Sequence, residues 1–407
     1  MYKFTIFVEN KNGDIMNKYF NLAEKINDKV LKHYYTLHQY PEIGFDLPIT
    51  YKYVFDELTN LGYKPISCGK CGLYVDIGNT KESIVLLRAD MDALPILEDT
   101  NLSFKAANGK MHACGHDMHT AMLLGCAELL KNFQFDGCIR LMFQPAEEII
   151  SGAKSMISNG VLKNVTNALM IHVMPNTTLD TGTLVIPECG IITPACDNFQ
   201  IRLLGKSAHG GFPYLGIDIF TVSALITLGL KNIKVNEITL DEKIVLSLGE
   251  ISAGNTYNVI PDTLTMKGML RTFNTDLRKF VLFRIEEIVR NICKAYHIKY
   301  KFIIDQSVCS FINDKNLRNN IINICNDKNL PHILTPTSSS GGSEDFSEVS
   351  KFMPTNMLML CAGKKSDGYC YDIHHPKTIF DLETLKYGVA YYTLFAIELL
   401  KLNNLKK

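Results

Sequence analysis

Residues 111–130 read MHACGHDMHTAMLLGCAELL and carry two signals in one stretch. The second half, AMLLGCAELL (121–130), is apolar on all sides, the pattern of a helix buried all round. On either side of it lie short apolar runs bounded by turn residues, at 73–77, 84–87, 139–143 and 168–171. Four or five residues suit buried strands and are too few for helices. Strands alternating with helices predict an α/β fold with a mainly parallel sheet covered on both faces. Upstream, a helix is expected over 23–39, with Ile26, Val30, Leu31 and Tyr34 on one face and Pro41 and Gly44 ending it. Another is expected over 51–61.

Near residue 195 the pattern changes. Strand-like runs at 199–203, 245–251 and 263–270 alternate with helix-like stretches at 219–230 and 277–295. This is α+β patterning over roughly 110 residues, an ordinary domain size. The expected division is one domain formed by 16–195 and 310–407, interrupted by a smaller one at 196–309. After 310, a helix at 315–327 and further βα-like material follow. The polar segment TPTSSSGG (335–342) reads as a loop.

Composition narrows the class. The 407 residues are 46% apolar and 21% charged, as in an ordinary globular chain able to bury a large core. Lys plus Arg equals Asp plus Glu at 42 each, which gives no reason to expect nucleic acid or an anionic membrane as partner. The opening residues lack the long apolar region of an export signal, and no run of about 18 apolar residues suggests a membrane span. A cytoplasmic protein is the default expectation. Residues 1–15 stay unassigned between an extra strand, a frayed lead and a start at Met16. The 12 cysteines are scattered and read as free thiols. Cys68 and Cys71 form a lone CxxC, weak evidence for zinc or redox chemistry beside a turn built on Gly69 and Gly72.

The first half of the opening stretch carries the chemistry. His112, Cys114, His116, Asp117 and His119 fall within eight positions ahead of the buried helix. Thiolate and imidazole are preferred ligands of zinc-like metals, with carboxylate the harder alternative. One histidine would be a packing residue; five donors together are hard to assign to packing. A second candidate is QPAEE (144–148), at the end of an apolar run, where open α/β sheets place their sites. One of Glu147 and Glu148 can bind metal while the other serves as a general base. Alone, the pair reads equally well as an acidic helix start. His172 ends the run 168–171, and His374 and His375 precede Pro376; together they supply the donors that a two-metal centre needs. Asp90 and Asp92, after the run 84–87, are placed to support a metal-bound histidine or to form a solvated turn. Cys114 as a thiol nucleophile is the weaker alternative, crowded as it is by histidines and carboxylates. No nucleophile elbow, P-loop or dinucleotide fingerprint is present.

The set RADMDALP (88–95), HACGHDMHT (112–120), QPAEE (144–148), GKSAHG (205–210), NVIPD (258–262), LRTF (270–273) and GSEDF (342–346) resembles the metal-dependent amidohydrolases. These include hippurate hydrolase, N-acyl-amino-acid amidohydrolase and auxin-conjugate hydrolase, in the aminoacylase and carboxypeptidase superfamily of metallopeptidases. The resemblance implies a catalytic domain with an inserted lid that also mediates dimerisation, and two divalent metal ions per subunit. Zinc or manganese leads, with cobalt or nickel as alternatives. It gives metal-ligand roles to Cys114, His116, Glu148, His172 and His374, and the general acid/base role to Glu147. His209 matches the lid histidine that stabilises the oxyanion, and Asn258 and Arg271 match residues that hold the substrate carboxylate. Asp90 and Asp117 fall behind the ligands. The implied partners are a small N-acyl amino acid and further copies of the chain, as a dimer or tetramer. The chain departs from many relatives in having Tyr214 in place of a second lid histidine, Met174 in place of a tryptophan, and KTIF after His374-His375-Pro376. These changes touch the pocket. A dipeptidase or an N-acetyl-diaminopimelate deacetylase is the alternative within hydrolases. A non-catalytic metal-binding or sensor protein, and a cysteine redox protein, are the alternatives outside them.

Overall fold

A computed structural model describes residues 13–79, 83–335 and 342–405, with side chains from 18 onward. In chain order the first part runs α1 (Gly13–Lys25), α2 (Asn27–Gln39), α3 (Pro48–Asn60), β1 (Ile66–Cys68), β2 (Gly72–Gly78), β3 (Ile84–Asp90), α4 (His116–Leu130), β4 (Cys138–Gln144), α5 (Gly152–Ser158), β5 (Val165–Met174) and β6 (Leu184–Pro187). Then follow β7 (Gly190–Thr193), β8 (Ala195–Leu204), β9 (Ala208–His209), α6 (Ile219–Asn232), β10 (Ile244–Ala253), β11 (Val259–Ile260), β12 (Thr263–Thr272), α7 (Thr275–Ala295) and β13 (Lys299–Val308). The chain ends with β14 (Phe311–Asn313), α8 (Lys315–Asp327), β15 (His332–Thr335), β16 (Thr355–Cys361) and α9 (Thr384–Asn404). It divides into two compact units. One holds the described residues of Met1–Ile192, Ile312–Ser338 and Glu348–Lys407, the other those of Thr193–Phe311 and Ser339–Ser347.

The larger unit is built on an eight-stranded sheet in the order β1-β2-β4-β3-β5-β16-β6-β15. The pairs β3–β4, β3–β5, β5–β16 and β6–β15 are parallel, whereas β1–β2, β2–β4 and β6–β16 are antiparallel. Every residue of β3 and β4 is buried, as expected of central strands with helices on both faces. α4 buries all its residues except Glu128, the fully apolar helix read in the sequence. It packs with α2 and α9 in a core that includes Val30, Leu123, Leu141, Val389 and Phe395. The α/β class with a mainly parallel sheet is as expected. The single helix expected over 23–39 is instead two, because Ile26 leaves helical geometry at φ −105°, ψ 3° and a new first turn opens at Asn27–Asp28.

The smaller unit has a four-stranded antiparallel sheet, β10-β12-β8-β13. α6 and α7 bury Val222, Ile226, Val281, Ile285 and Val289 against Phe199, Ile201, Leu264 and Met266. Side-chain caps start both helices: Asp218 accepts from the Phe220 and Thr221 amides, and Asn274 from the Asp276 and Leu277 amides.

The loop expected at 335–342 lies almost wholly outside the described residues. Cys68 and Cys71 flank the turn between β1 and β2, with Gly69 at φ 67° and both thiols free. Among the described residues, no helix is long and apolar enough to cross a membrane.

Candidate active site

Glu148 and His172 rise from the carboxyl ends of β4 and β5, where open α/β sheets form their crevice, and Cys114, His116 and His374 join them from the start of α4 and the loop before α9. β3 ends at Asp90, β4 runs into 145–148, and His172 lies near the end of β5. Two glycines shape the approaches. Gly115 sits at φ 84°, and a Cβ there would lie 2.4 Å from Val173 Cγ2. A side chain is therefore excluded both by conformation and by space, and the chain turns sharply between Cys114 and the first residue of α4, His116. A Cβ on Gly152 would lie 1.6 Å from the Pro145 carbonyl oxygen, so the turn carrying Glu147 and Glu148 closes tightly on itself. Ala146 and Ile150 take φ 57° and 48° there. His374 also sits at positive φ, 67°, and its amide donates to the Ala113 carbonyl at 2.9 Å.

The structure brings the five residues together. Cys114 Sγ lies 3.6 Å from His172 Nε2 and 3.3 Å from His374 Nε2. Glu148 Oε1 lies 3.5 Å from His374 Nε2 and 4.0 Å from His116 Nε2. Glu147 Oε2 is also 4.0 Å from His116 Nε2, so the second carboxylate borders the same centre. His116 Nδ1 donates to the Asp92 carbonyl at 2.8 Å and His172 Nδ1 to the Val173 carbonyl at 2.8 Å. Each imidazole therefore turns Nε2 towards the cluster, the arrangement expected when the other ring nitrogen is fixed by a carbonyl.

The electrostatics fit a cation. His116 Nε2 and Glu148 Oε1 are buried without a hydrogen-bond partner, which is costly in a protein interior. Burial pushes the Cys114 thiol well above its usual range, Glu148 and Glu147 adding to it. Burial likewise pushes Glu148 up to about 7, with Asp92 and Asp90 opposing ionisation and His116 favouring it. Burial holds His172 down at about 3, a neutral imidazole ready to donate a lone pair. At His116 burial opposes charge, yet Asp90 and Cys114 outweigh it and raise the group well above its usual value. The centre thus favours positive charge, and it gathers thiol, imidazole and carboxylate donors suited to divalent transition metals.

Behind the donors the acids are fully engaged. Asp90 accepts from His119 Nδ1 at 2.5 Å and pairs with the buried Arg88 guanidinium. His119 Nε2 then accepts from the Val173 amide at 2.9 Å, tying α4 to β5 beside His172. Asp92 does more than the sequence suggested. Its two carboxylate oxygens accept the Glu147 amide at 2.9 Å and the Glu148 amide at 3.1 Å, while its carbonyl holds His116. Asp117 Oδ2 accepts from His38 Nδ1 at 2.7 Å. His112 is buried with both ring nitrogens unpartnered, and burial lowers it to about 4. Sequence reasoning counted His119 only among the clustered candidate metal donors and assigned nothing to His38. His119 had a signal in its spacing from His116, but His38, 79 residues from Asp117, had none.

In the smaller unit, His209 pairs with Val259 across β9 and β11, and the Gly210 amide donates to the Asn258 carbonyl at 2.7 Å. His209 and Asn258 are thus neighbours, with the His209 ring 5.5 Å from that of Phe212. Arg271 lies on β12 opposite Cys196, its Nε 3.2 Å from Met269 Sδ. The structure pairs the first two and seats the third in the main sheet of the unit.

A parallel-sheet scaffold presenting buried thiol, imidazole and paired carboxylate donors at its strand ends defines a metal-dependent hydrolase of C–N bonds. The chain belongs to the peptidase family M20/M25/M40, whose model matches residues 86–398. It is 33% identical over 362 residues to N-acetyl-L-cysteine deacetylase of Bacillus subtilis, covering 88% of this chain and 84% of that protein. It is 35% identical over 298 residues to N-acyl-L-amino acid amidohydrolase of Geobacillus stearothermophilus, covering 72% and 80%. Among solved structures, a dinuclear metal-binding peptidase of the M20 family from Bacillus subtilis superposes with a TM-score of 0.76 at 28% identity, over 93% of this chain and 99% of that one.

Proposed function

We propose that the protein hydrolyses the amide bond of N-acyl amino acids, with Cys114, His116, Glu148, His172 and His374 holding two divalent metal ions. The observation that carries this reading is the convergence of these donors with a second carboxylate, Glu147, at their edge. When bound, the ions supply Lewis-acid polarisation and acidify water enough for a nucleophile to form at neutral pH. Zinc or manganese is the expected metal, since a thiolate suits the first and a mixed oxygen and nitrogen set suits both. Glu147 accepts the proton of the attacking water and returns it to the leaving amine nitrogen. Asp92 holds Glu147 and Glu148 in register through their amides, and Asp90 and Asp117 back the metal-bearing helix. His209 stabilises the negative charge on the tetrahedral oxygen, and Asn258 and Arg271 hold the substrate carboxylate.

The protein also self-associates on this reading, through β10, an edge strand, and the neighbouring face of α6. Phe220, Leu228, Val245 and Ile251 expose large apolar side chains there, the mark of an interaction surface.

The test is release of free amino acid from N-acetyl, N-benzoyl and N-aminoacyl amino acids. It uses chelated enzyme reloaded separately with zinc, manganese, cobalt and nickel. Metal-restored cleavage of N-acyl substrates is expected, with a loss of at least about 10²-fold in Glu147→Gln. Cleavage confined to the N-aminoacyl compounds would make the protein a dipeptidase. Metal uptake without cleavage of any of them would overturn the substrate class.

A further inference from the structure

One buried ion cluster near the metal site is explained neither by the ligand set nor by Glu147. His38, in the last turn of α2, is 3% exposed and meets a carboxylate at each ring nitrogen. Nδ1 donates to Asp117 Oδ2 at 2.7 Å and Nε2 to Glu98 Oε1 at 3.3 Å. An imidazole that donates from both nitrogens is cationic. The carboxylates are themselves held. Asp117 Oδ1 accepts the Met118 amide at 2.8 Å, and Glu98 accepts the Ala106 amide at 2.8 Å and the Thr100 hydroxyl at 2.5 Å. The rings of Tyr34 and Phe104 close the cluster, 5.3 and 5.4 Å from the imidazole.

Two connections lead outward from His38, and each reaches a ligand. Asp117 follows His116 in the first turn of α4. Glu98 precedes Asp99, whose amide donates to the Pro376 carbonyl at 2.9 Å and whose carboxylate lies 3.5 Å from Lys377 Nζ. Pro376 is two residues beyond His374. His116 and His374 come from segments far apart in sequence, and His38 stands between the two attachments.

We propose that His38 is a positioning residue for the metal centre, a buried cation that ties the segment bearing His116 to the segment bearing His374 through Asp117 and Glu98. The proposal rests on the metal-centre reading above. Removing the imidazole leaves two buried carboxylates facing each other without a counter-charge, a costly arrangement. They are expected to move apart and carry the ligand segments with them. The groups facing His38 are Asp117 from α4, Glu98 from the 98–106 segment, His112 from the loop before α4, and Tyr34 from α2 itself. His112 is held neutral by burial, and burial together with Asp117 and Glu98 pushes Tyr34 well above its usual range. Burial pushes His38 down, but the hydrogen bonds to Asp117 and Glu98 outweigh it and leave the group at about 9.

The experiment compares wild type, His38→Gln and Glu98→Gln for zinc and cobalt affinity by chelator competition, for the visible spectrum of the cobalt-loaded protein, and for kcat and KM. In His38→Gln, affinity is expected to fall about 10–100-fold, the range for residues that orient metal ligands. The cobalt bands should shift, and kcat should fall while KM stays within about twofold. Glu98→Gln cuts only the tie towards His374 and should show a smaller loss of the same kind. A His38→Gln protein with a lower melting temperature but wild-type affinity and cobalt spectrum would overturn the proposal. If His38→Gln does not fold, Glu98→Gln decides: wild-type affinity and spectrum overturn it. A histidine ¹⁵N spectrum of the wild type should show one imidazole doubly protonated at pH 7 and titrating near 9; a neutral His38 at pH 7 would also overturn it. A wild type that takes up no metal would instead defeat the metal-centre reading.

Discussion

At the residue scale, Asp92 concentrates positioning in one side chain. It accepts the backbone amides of both Glu147 and Glu148 and presents its own carbonyl to His116. Asp92→Asn keeps the volume but puts an NH₂ group where an acceptor faces an amide donor. The loss is expected to be about 10–100-fold in turnover, measured with saturating metal so that occupancy is separated from alignment. Unchanged turnover would show that the Glu147 turn is fixed by its own backbone. The stability of the His38 cluster follows from its titration. Its folded value, about 9, lies above the ordinary 6.5. The stabilisation is therefore complete below about 6.5 and is lost as pH rises through about 9. Melting temperatures of the metal-free protein should fall between pH 8 and 10, and should fall less in His38→Gln; equal slopes would contradict the assignment. The sequence exposed the candidate donors because the chemistry of Cys114 and His116 among further histidines is unusual at that density. It did not expose Asp92 as a clamp or His38 as a tie, because a carboxylate or imidazole bound to distant partners looks locally like any turn acid or helix histidine.

At the element scale, the legible parts were those whose pattern is set locally. The runs at 84–87 and 139–143 lie in β3 and β4, because central parallel strands are apolar throughout. α4 was legible for the same reason. α9 was not foreseen as a 21-residue helix, although nearly all of its face is buried; Gly388 and paired tyrosines dilute its periodicity, and distant partners explain them, Met122 of α4 lying against Gly388 and the Tyr391 and Tyr392 hydroxyls donating to the Gly182 and Arg88 carbonyls. β13 alternates weakly, with Ile304 exposed, so its pairing with β8 supplies what its own pattern lacks. The packing of α4 makes a prediction that runs against propensity. In a free helix Gly→Ala stabilises by about 1 kcal/mol. At Gly125 a Cβ would lie 2.6 Å from Val389 Cγ2 and 2.9 Å from Val30 Cγ2, and valine side chains have little rotamer freedom to yield. Gly125→Ala is therefore expected to destabilise, by about 1–3 kcal/mol, in chemical denaturation. A gain in stability would mean that α2 and α9 move apart easily.

At the scale of the whole molecule, the proposed self-association turns on the surface of the smaller unit. β10 leaves one side of its sheet unpaired, and edge strands of this kind are normally blunted by charge, proline or a cover. Here Val245 and Ile251 are 48% and 49% exposed on that strand, and Leu228 on α6 is 65% exposed. Lys267–Glu250 is an exposed ion pair close by, worth little in energy. Self-association would bury them and continue the sheet across two copies. Losing a buried leucine or isoleucine removes about 1.5–3 kcal/mol, and a symmetric interface loses each contact twice. Leu228→Lys with Ile251→Lys should therefore weaken self-association by at least about 10³-fold, turning a dimer into a monomer at micromolar concentration. Light scattering after size exclusion reads the mass directly, and circular dichroism checks that the unit still folds. If turnover falls with the mass while metal affinity holds, the active site draws a residue from the second copy. If mass falls and turnover holds, the site is complete within one chain. A wild type that is monomeric across the concentration range would remove this surface as a self-association site.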